Sequence, residues 1–307
     1  MTVPLQPVLV MPVYRGGEKF RRALNSIRGA EQHFRRIIIS LNSPYGSPDE
    51  RTIDDYQAAG DTKIEVIQSG EELPWIPHQF FWLRHLEATG EGADDWVMWF
   101  AHDDELRPRG IANIIDRCGN WPLEDQTIYL GPWGMRYDPL GELFDGDRDA
   151  PLESWTSFPI EGPLRTTVAE WIVDQLHQPT YINMSGCVTK LASFQQLRDF
   201  RLQKPGGMRI EMATACAPVN TYMQEFSEPL VITYTSKGSD RTMYARVARQ
   251  DDAHLIAWLV NYTTHHPGSI RTFTKGGLAI AGQRFRQLLH RRPPVVEDWR
   301  YRTTVTP

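Results

Sequence analysis

Short apolar runs alternate with amphipathic stretches through the first 125 residues of the chain. Residues 7–12, Pro-Val-Leu-Val-Met-Pro, predict a short buried strand stopped by Pro12. Gly16 and Gly17 supply a turn, and 18–28 places Phe20, Leu24 and Ile27 on one helical stripe. Residues 36–41 predict a second buried strand, 63–67 a third and 96–101 a fourth. The segment 42–48 is dense in turn residues. Residues 49–59 read as a helix with Ser47 as its cap, and 77–87 and 109–118 read as further helices. Strands alternating with helices imply crossover units and a mostly parallel sheet.

The rhythm changes near Gln126. Residues 127–130 predict a strand, followed by the turn-like Gly131-Pro132-Trp133-Gly134. The stretch 138–166 is rich in Gly, Pro and Asp and reads as loops or a β-ribbon. Helices are expected at 168–176, 191–200 and 211–226, the last bent at Pro218, with short strands at 185–189 and 230–234. From 241 to 289 the pattern is mostly helical, and a basic, proline-containing tail follows. The expected division is a catalytic domain at 1–240, with halves 1–125 and 126–240, and a helical extension at 241–307.

Composition narrows the class. The chain has 307 residues, 41% of them hydrophobic and 23% charged, an ordinary globular balance. A net charge of −5 gives no reason to expect nucleic acid as a partner. Residues 1–7 lack the basic start and apolar core of a signal peptide, and no apolar run reaches the roughly 20 residues of a membrane span. The three cysteines are widely spaced and fit neither a disulfide framework nor a zinc cluster. A cytoplasmic location is the expectation.

Residues 97–106, Val-Met-Trp-Phe-Ala-His-Asp-Asp-Glu-Leu, carry the clearest chemical signal: a buried strand that ends in adjacent acids. Carboxylates at the end of a buried strand are costly unless they hold something positive. In open α/β sheets, that end of the strand is where ligands bind.

Four segments, in order, resemble the inverting nucleotide-sugar glycosyltransferases of family 2. Residues 8–14, Val-Leu-Val-Met-Pro-Val-Tyr, resemble the opening strand and its Pro-Val-Tyr turn; 37–43 resembles the second strand; 100–106 resembles the strand ending in an Asp-x-Asp motif; and Glu228-Pro229-Leu230-Val231 resembles the segment closing the catalytic domain. The likeness spans residues 7–240. It implies a GT-A fold, a Rossmann-like, mostly parallel sheet flanked by helices. It also implies a metal-dependent enzyme that moves a sugar, with inversion, from a nucleotide-diphosphate donor to a glycan or glycoconjugate hydroxyl, in surface polysaccharide biosynthesis or a related pathway.

The resemblance assigns roles position by position. Asp104 is the expected ligand of a divalent cation, Mn2+ or Mg2+, and Asp103 serves the donor's hydroxyls or supports the metal. The competing reading of Asp104 is a helix N-cap ahead of Pro108. His102 stands where the family has Asp; imidazole bonds a ribose hydroxyl, binds a transition metal more readily than magnesium, or simply packs. Pro12, Val13 and Tyr14 are expected beneath the nucleobase, with Tyr14 offering a face for stacking. Glu18 matches an acid often found after that turn, and an exposed first-turn glutamate explains it equally well. Asn42 holds the base-recognition position with an amide in place of an acid. Glu211, at a helix start after a small-residue loop, is the candidate general base, with Asp199 in reserve.

The stretch His78-Gln79-Phe80-Phe81-Trp82-Leu83-Arg84 replaces the family's Ala-Arg-Asn run; His78, Gln79 and Arg84 are possible donor contacts, and the aromatics read as core. Trp133, Tyr137 and Trp155 fall where an acceptor sugar or lipid-linked sugar is expected. Adjacent His265 and His266 lack a third metal ligand nearby. The basic segment 284–292 suits either peripheral contact with an anionic membrane or packing on the domain. Two alternatives remain: a nucleotidyltransferase, for which Tyr14-Arg15-Gly16-Gly17-Glu18-Lys19 is a faint version of the Gly-rich, basic triphosphate loop, and a non-catalytic nucleotide-sugar-binding homologue.

Overall fold

The computed structural model describes residues 6–60, 63–112, 127–130, 133–137, 156–157, 164–167, 185–192, 194–195, 221–224, 231–235, 270–271 and 274–275. It opens with β1 (Val8–Val13), α1 (Gly17–Ile27), β2 (Arg36–Leu41), α2 (Pro48–Ala58), β3 (Ile64–Gln68), α3 (Trp75–Ala88) and β4 (Trp96–Trp99). Then follow β5 (Asp104–Leu106), β6 (Thr127–Leu130), β7 (Trp133–Tyr137), β8 (Thr156–Ser157), β9 (Leu164–Thr167), β10 (Cys187–Lys190), β11 (Thr221–Gln224) and β12 (Val231–Thr235).

The main sheet has eight strands in the order β3-β2-β1-β4-β10-β6-β11-β9. β1 to β4 run parallel, and β10 joins β4 antiparallel. The architecture is therefore α/β with a mostly parallel central sheet, as the alternating pattern implies. A second sheet, β5-β12-β7-β8, forms beside it.

Strand alternation sorts the core. Leu9, Met11 and Val13 of β1 and Ile37, Ile39 and Leu41 of β2 share one cluster with Phe20, Ala23, Leu24 and Ile27 of α1 and with Ile53 and Tyr56 of α2. The stripe read from spacing is the buried face of α1. Ser40, on the opposite face of β2, meets α3 through His78. Helices thus cover both faces. Ser47 caps α2 as expected, its hydroxyl accepting from Glu50 N at 3.2 Å. Trp82 of α3 is fully buried, as the core reading of that aromatic run requires.

Three local expectations change. Pro12 does not stop β1, which continues in register with β2 through Val13↔Leu41. Residues in a strand face alternate neighbours, so Pro12, like Val10, looks toward β4. Val10 O accepts the last rung there, from Phe100 N at 3.0 Å, and β4 has left the ladder after Trp99. No partner awaits the N–H that proline lacks. Asp104 does not cap a helix; it opens β5, paired antiparallel with β12. Residues 221–224, expected in a helix, form β11, where pairing with β6 and β9 overrides local preference.

The expected helix at 168–176, residues 199 and 211, Trp155, His265, His266, the segment 284–292 and most of 241–307 lie outside the described residues. Among the described residues, no helix is long and apolar enough to cross a membrane.

Candidate functional site

The strand order places β1 between β2 and β4, so connections leave in opposite directions at the β1/β4 boundary. Such a switch point opens a crevice at the carboxyl edge of a sheet. Four loops meet there: 14–16 after β1, 42–47 after β2, 69–74 after β3 and 100–103 after β4.

His102 bridges the crevice. Its Nδ1 lies 3.2 Å from the carbonyl oxygen of Pro12, the acceptor left over where β4 departs. A carbonyl only accepts, so Nδ1 carries the hydrogen, and in the neutral ring Nε2 keeps a lone pair. The ring also packs on Gly16: a Cβ there would stand 3.2 Å from His102 Cδ2, 3.0 Å from Val13 Cγ1 and 2.5 Å from Phe20 Cβ. Position 16 requires glycine for this close approach rather than for its backbone angles.

The neighbouring acids diverge. Asp103 is half-buried in the turn after β4. Asp104 is 3% exposed on β5, and Glu105 is fully buried, its Oε1 2.8 Å from Arg22 Nε of α1. Leu106 N donates to the Ser26 hydroxyl of α1 at 2.9 Å, and Ala101 N to the Ser185 hydroxyl at 2.9 Å. The turn at 102–103 is therefore anchored on both sides.

Tyr14 is 44% exposed beside the crevice, with the Arg15 guanidinium over one face of its ring, 5.1 Å from the centroid. Its hydroxyl donates to Glu72 at 3.4 Å, and Arg15 meets the same carboxylate through two hydrogen bonds, of 3.0 and 2.8 Å. These bonds hold the Glu72 carboxyl below, and the Arg15 guanidinium above, their ordinary values. Arg15 has a φ of +47°, the left-handed region that side chains other than glycine rarely adopt. Pro12 and Val13 are buried beneath this loop, and Glu18 is exposed on α1, paired with Arg21 at 3.0 Å.

Asn42 is buried and faces the main chain: its Nδ2 donates to Leu73 O at 2.8 Å and its Oδ1 accepts from Leu73 N at 2.6 Å. It pins the 69–74 loop to the end of β2. Asp49 performs a similar task, its carboxylate accepting from Gly16 N at 3.0 Å and Gly17 N at 2.9 Å. Beneath the crevice, His78 Nε2 lies 2.9 Å from the Ser40 hydroxyl. Burial pushes the His78 imidazole down to about 4; the Ser40 contact opposes this, and the nearby His102 adds to it. Gln79 accepts from the indole nitrogens of Trp82 and Trp99 at 2.9 and 3.2 Å, while Arg84 is exposed.

Pro12, Val13, Tyr14, Asn42, His102 and Asp103 thus gather at one edge, with Asp104 behind them and Glu18 on the adjoining helix. Glu211 lies outside the described residues, as do the side chains of Trp133 and Tyr137. Asp49, Glu72 and Ser185 escaped the sequence reading. Asp49 signals itself only as a first-turn acid, and the bonds it makes span 33 and 32 positions.

Among the described residues, no three acidic, histidine or cysteine side chains converge as a metal cluster. Asp103, a single half-buried carboxylate in the turn after β4, still fits a hard cation that takes most of its ligands from phosphate and water.

No protein-family model matches this sequence, and neither does any curated protein. Solved structures are similar at low identity. The S. aureus TarS fragment 1–349 in complex with UDP superposes with a TM-score of 0.48 and 13% identity, covering 81% of this chain and 65% of that one. GalNAc-T7 with UDP, GalNAc and Mn2+ gives a TM-score of 0.48 and 11% identity over 78% of this chain and 46% of that one. A 4-diphosphocytidyl-2C-methyl-D-erythritol synthase gives 0.42 and 12% over 79% and 99%. The chain therefore spans less than two thirds of the length of the first two.

Proposed function

We propose that this chain is a glycosyltransferase that takes a sugar from a nucleoside-diphosphate donor bound across the carboxyl ends of β1, β2 and β4. The observation that carries this reading is the crevice at the β1/β4 switch point. There, the exposed Tyr14 of the loop after β1 lies at the same strand ends as His102, whose Nδ1 hydrogen is held by Pro12, and the half-buried Asp103. The base stacks on Tyr14, and Asn42 shapes its pocket by holding Leu73. The diphosphate lies toward 102–103.

Burial divides the acid pair. We assign the cation to Asp103, with His102 Nε2 as second ligand or ribose contact, because Asp104 is 3% exposed in a strand; Asp104 supports the turn. When bound, a divalent cation would offset the charge that builds on the departing diphosphate. The side chains do the rest by orientation: His102 is fixed by Pro12, and Ser185 and Ser26 hold the main chain on either side of the turn. By the resemblance stated above, the transfer is inverting. Glu211 removes the acceptor's proton, and the acceptor is a glycan or lipid-linked sugar of a surface polysaccharide or related conjugate. The nucleotidyltransferase alternative is disfavoured, since it needs open amides after β1, and those of Gly16 and Gly17 are taken by Asp49.

The test is thermal unfolding with a panel of nucleoside diphosphates and their sugars, with and without Mn2+. One nucleoside diphosphate should raise the melting temperature, more so with Mn2+, and Asp103→Ala should remove the Mn2+-dependent part. Stabilisation by no nucleotide at all would overturn the reading. A metal-dependent shift retained by Asp103→Ala but lost in Asp104→Ala would return the cation to Asp104.

A further inference from the structure

The loop between β1 and α1 has the shape of an anion cradle, and a side chain of this chain fills it. Arg15, at φ +47°, Gly16, at φ −71° and ψ −39°, and Gly17, at φ +53°, alternate between left- and right-handed conformations. That alternation turns successive amides toward a common point. The amides also open α1, an 11-residue helix whose free N–H groups and positive dipole end favour negative charge. Asp49 occupies the point, one oxygen on each glycine amide, while itself 5% exposed. It arrives from the first turn of α2, so its charge lies between the amino ends of two helices.

A phosphate group placed there would compete for the same two N–H donors and meet a buried carboxylate at contact distance. Like charges in a poorly solvated position exclude one another. We propose that Asp49 is a specificity-determining residue that closes the start of α1 to the phosphates of a bound nucleotide, directing them to the β4 edge at His102 and Asp103. The second half of this statement rests on the nucleotide reading above; the closure itself does not. A nucleoside triphosphate then gains nothing from its third phosphate, and the diphosphate of a sugar donor is the longest chain the crevice rewards.

Two measurements decide it. The first is metal-free calorimetric binding of inorganic tripolyphosphate to the full chain, to Asp49→Asn, to Asp49→Ala and to Asp54→Asn. Asp54 is an exposed residue of the same helix near Gly17 whose carboxylate is not the one on the Gly16 and Gly17 amides, so its variant makes the same charge change nearby without opening the cradle. Asp49→Ala and Asp49→Asn should bind at least tenfold more tightly than Asp54→Asn and the unmodified chain. A variant at 49 that unfolds cooperatively yet binds no better than Asp54→Asn overturns the proposal. The second measurement needs no variant: UTP against UDP, and GTP against GDP, on the unmodified protein with Mg2+. Affinities within about twofold are expected for the nucleoside that binds, and a triphosphate preference of tenfold or more overturns the closure. If neither pair binds, the nucleotide reading fails, and the tripolyphosphate comparison still decides the role of Asp49.

Discussion

The two ends of the parallel sheet handle polar groups in opposite ways. At the amino end, side chains satisfy side chains. Arg36 at the start of β2 bonds Glu65 of β3 and Glu91, Arg35 bonds Glu91 and Asp95, and His85 reaches Glu65 at 2.6 Å. Burial alone would raise the Glu65 carboxyl, yet Arg36 and His85 bring it below its ordinary value. At the carboxyl end, apart from the surface contacts of Tyr14 and Arg15 with Glu72 and the buried Ser40–His78 contact, side chains satisfy backbone: Asp49 holds Gly16 and Gly17, Asn42 holds Leu73, His102 holds Pro12, and Ser185 holds Ala101. Pairs between flexible side chains adjust to disturbance. Bonds to the main chain fix the path of a loop. The end that must present a defined surface uses the second kind.

The sharpest break should come from the buried pair behind the acidic turn. Glu105→Gln leaves Arg22 charged and almost fully buried without its carboxylate, which should cost about 3–5 kcal/mol in urea unfolding. A loss near that of an exposed pair would show that the turn does not depend on it.

His78 gives a test by pH. Its folded value of about 4 lies below its ordinary 6.5, so the unfolded chain takes up a proton first as pH falls. The neutral, buried ring therefore contributes stability in full above pH 6.5. Roughly 3 kcal/mol should be lost between pH 6.5 and 4. His78→Gln should flatten that part of the curve in chemical unfolding measured across pH. Equal slopes in both proteins would remove His78 as the cause.

The smallest change belongs to the amino end. Arg36→Met should cost about 1 kcal/mol or less, because Arg35 still meets Glu91 and the ion pairs are partly solvated. That cost should shrink further in 0.5 M salt, on the scale set by a Debye length of a few ångströms. A salt-independent loss of several kcal/mol would erase the contrast between the two ends.

Much of the frame is written locally. The Phe20, Leu24, Ile27 stripe, the Ser47 cap and the four apolar runs each depend on neighbours a few positions away, and each appears in the structure. The contacts that make the crevice do not. Pro12 and His102 are 90 positions apart, Asn42 and Leu73 31, and Ala101 and Ser185 84. A list of residue types says that Asn42 is polar at a strand end, but not that both its groups face Leu73. Asp103 and Asp104 look alike in sequence; only the pairing of β5 with β12, over a hundred positions away, buries one of them. β11 departs from the helix its local pattern predicts for the same reason, as its partners β6 and β9 lie far from it in the chain.

Pro12 has a consequence for how the chain reaches this fold. A parallel ladder can slip by two residues and still keep every side chain on its proper face. Here, sliding β4 two positions along β1 would bring the next rung to a residue with no N–H to give. The proline thus marks the last rung. It fixes where β4 aligns while the sheet assembles, and it denies any passing strand a continuous edge on which to extend the ladder over the crevice.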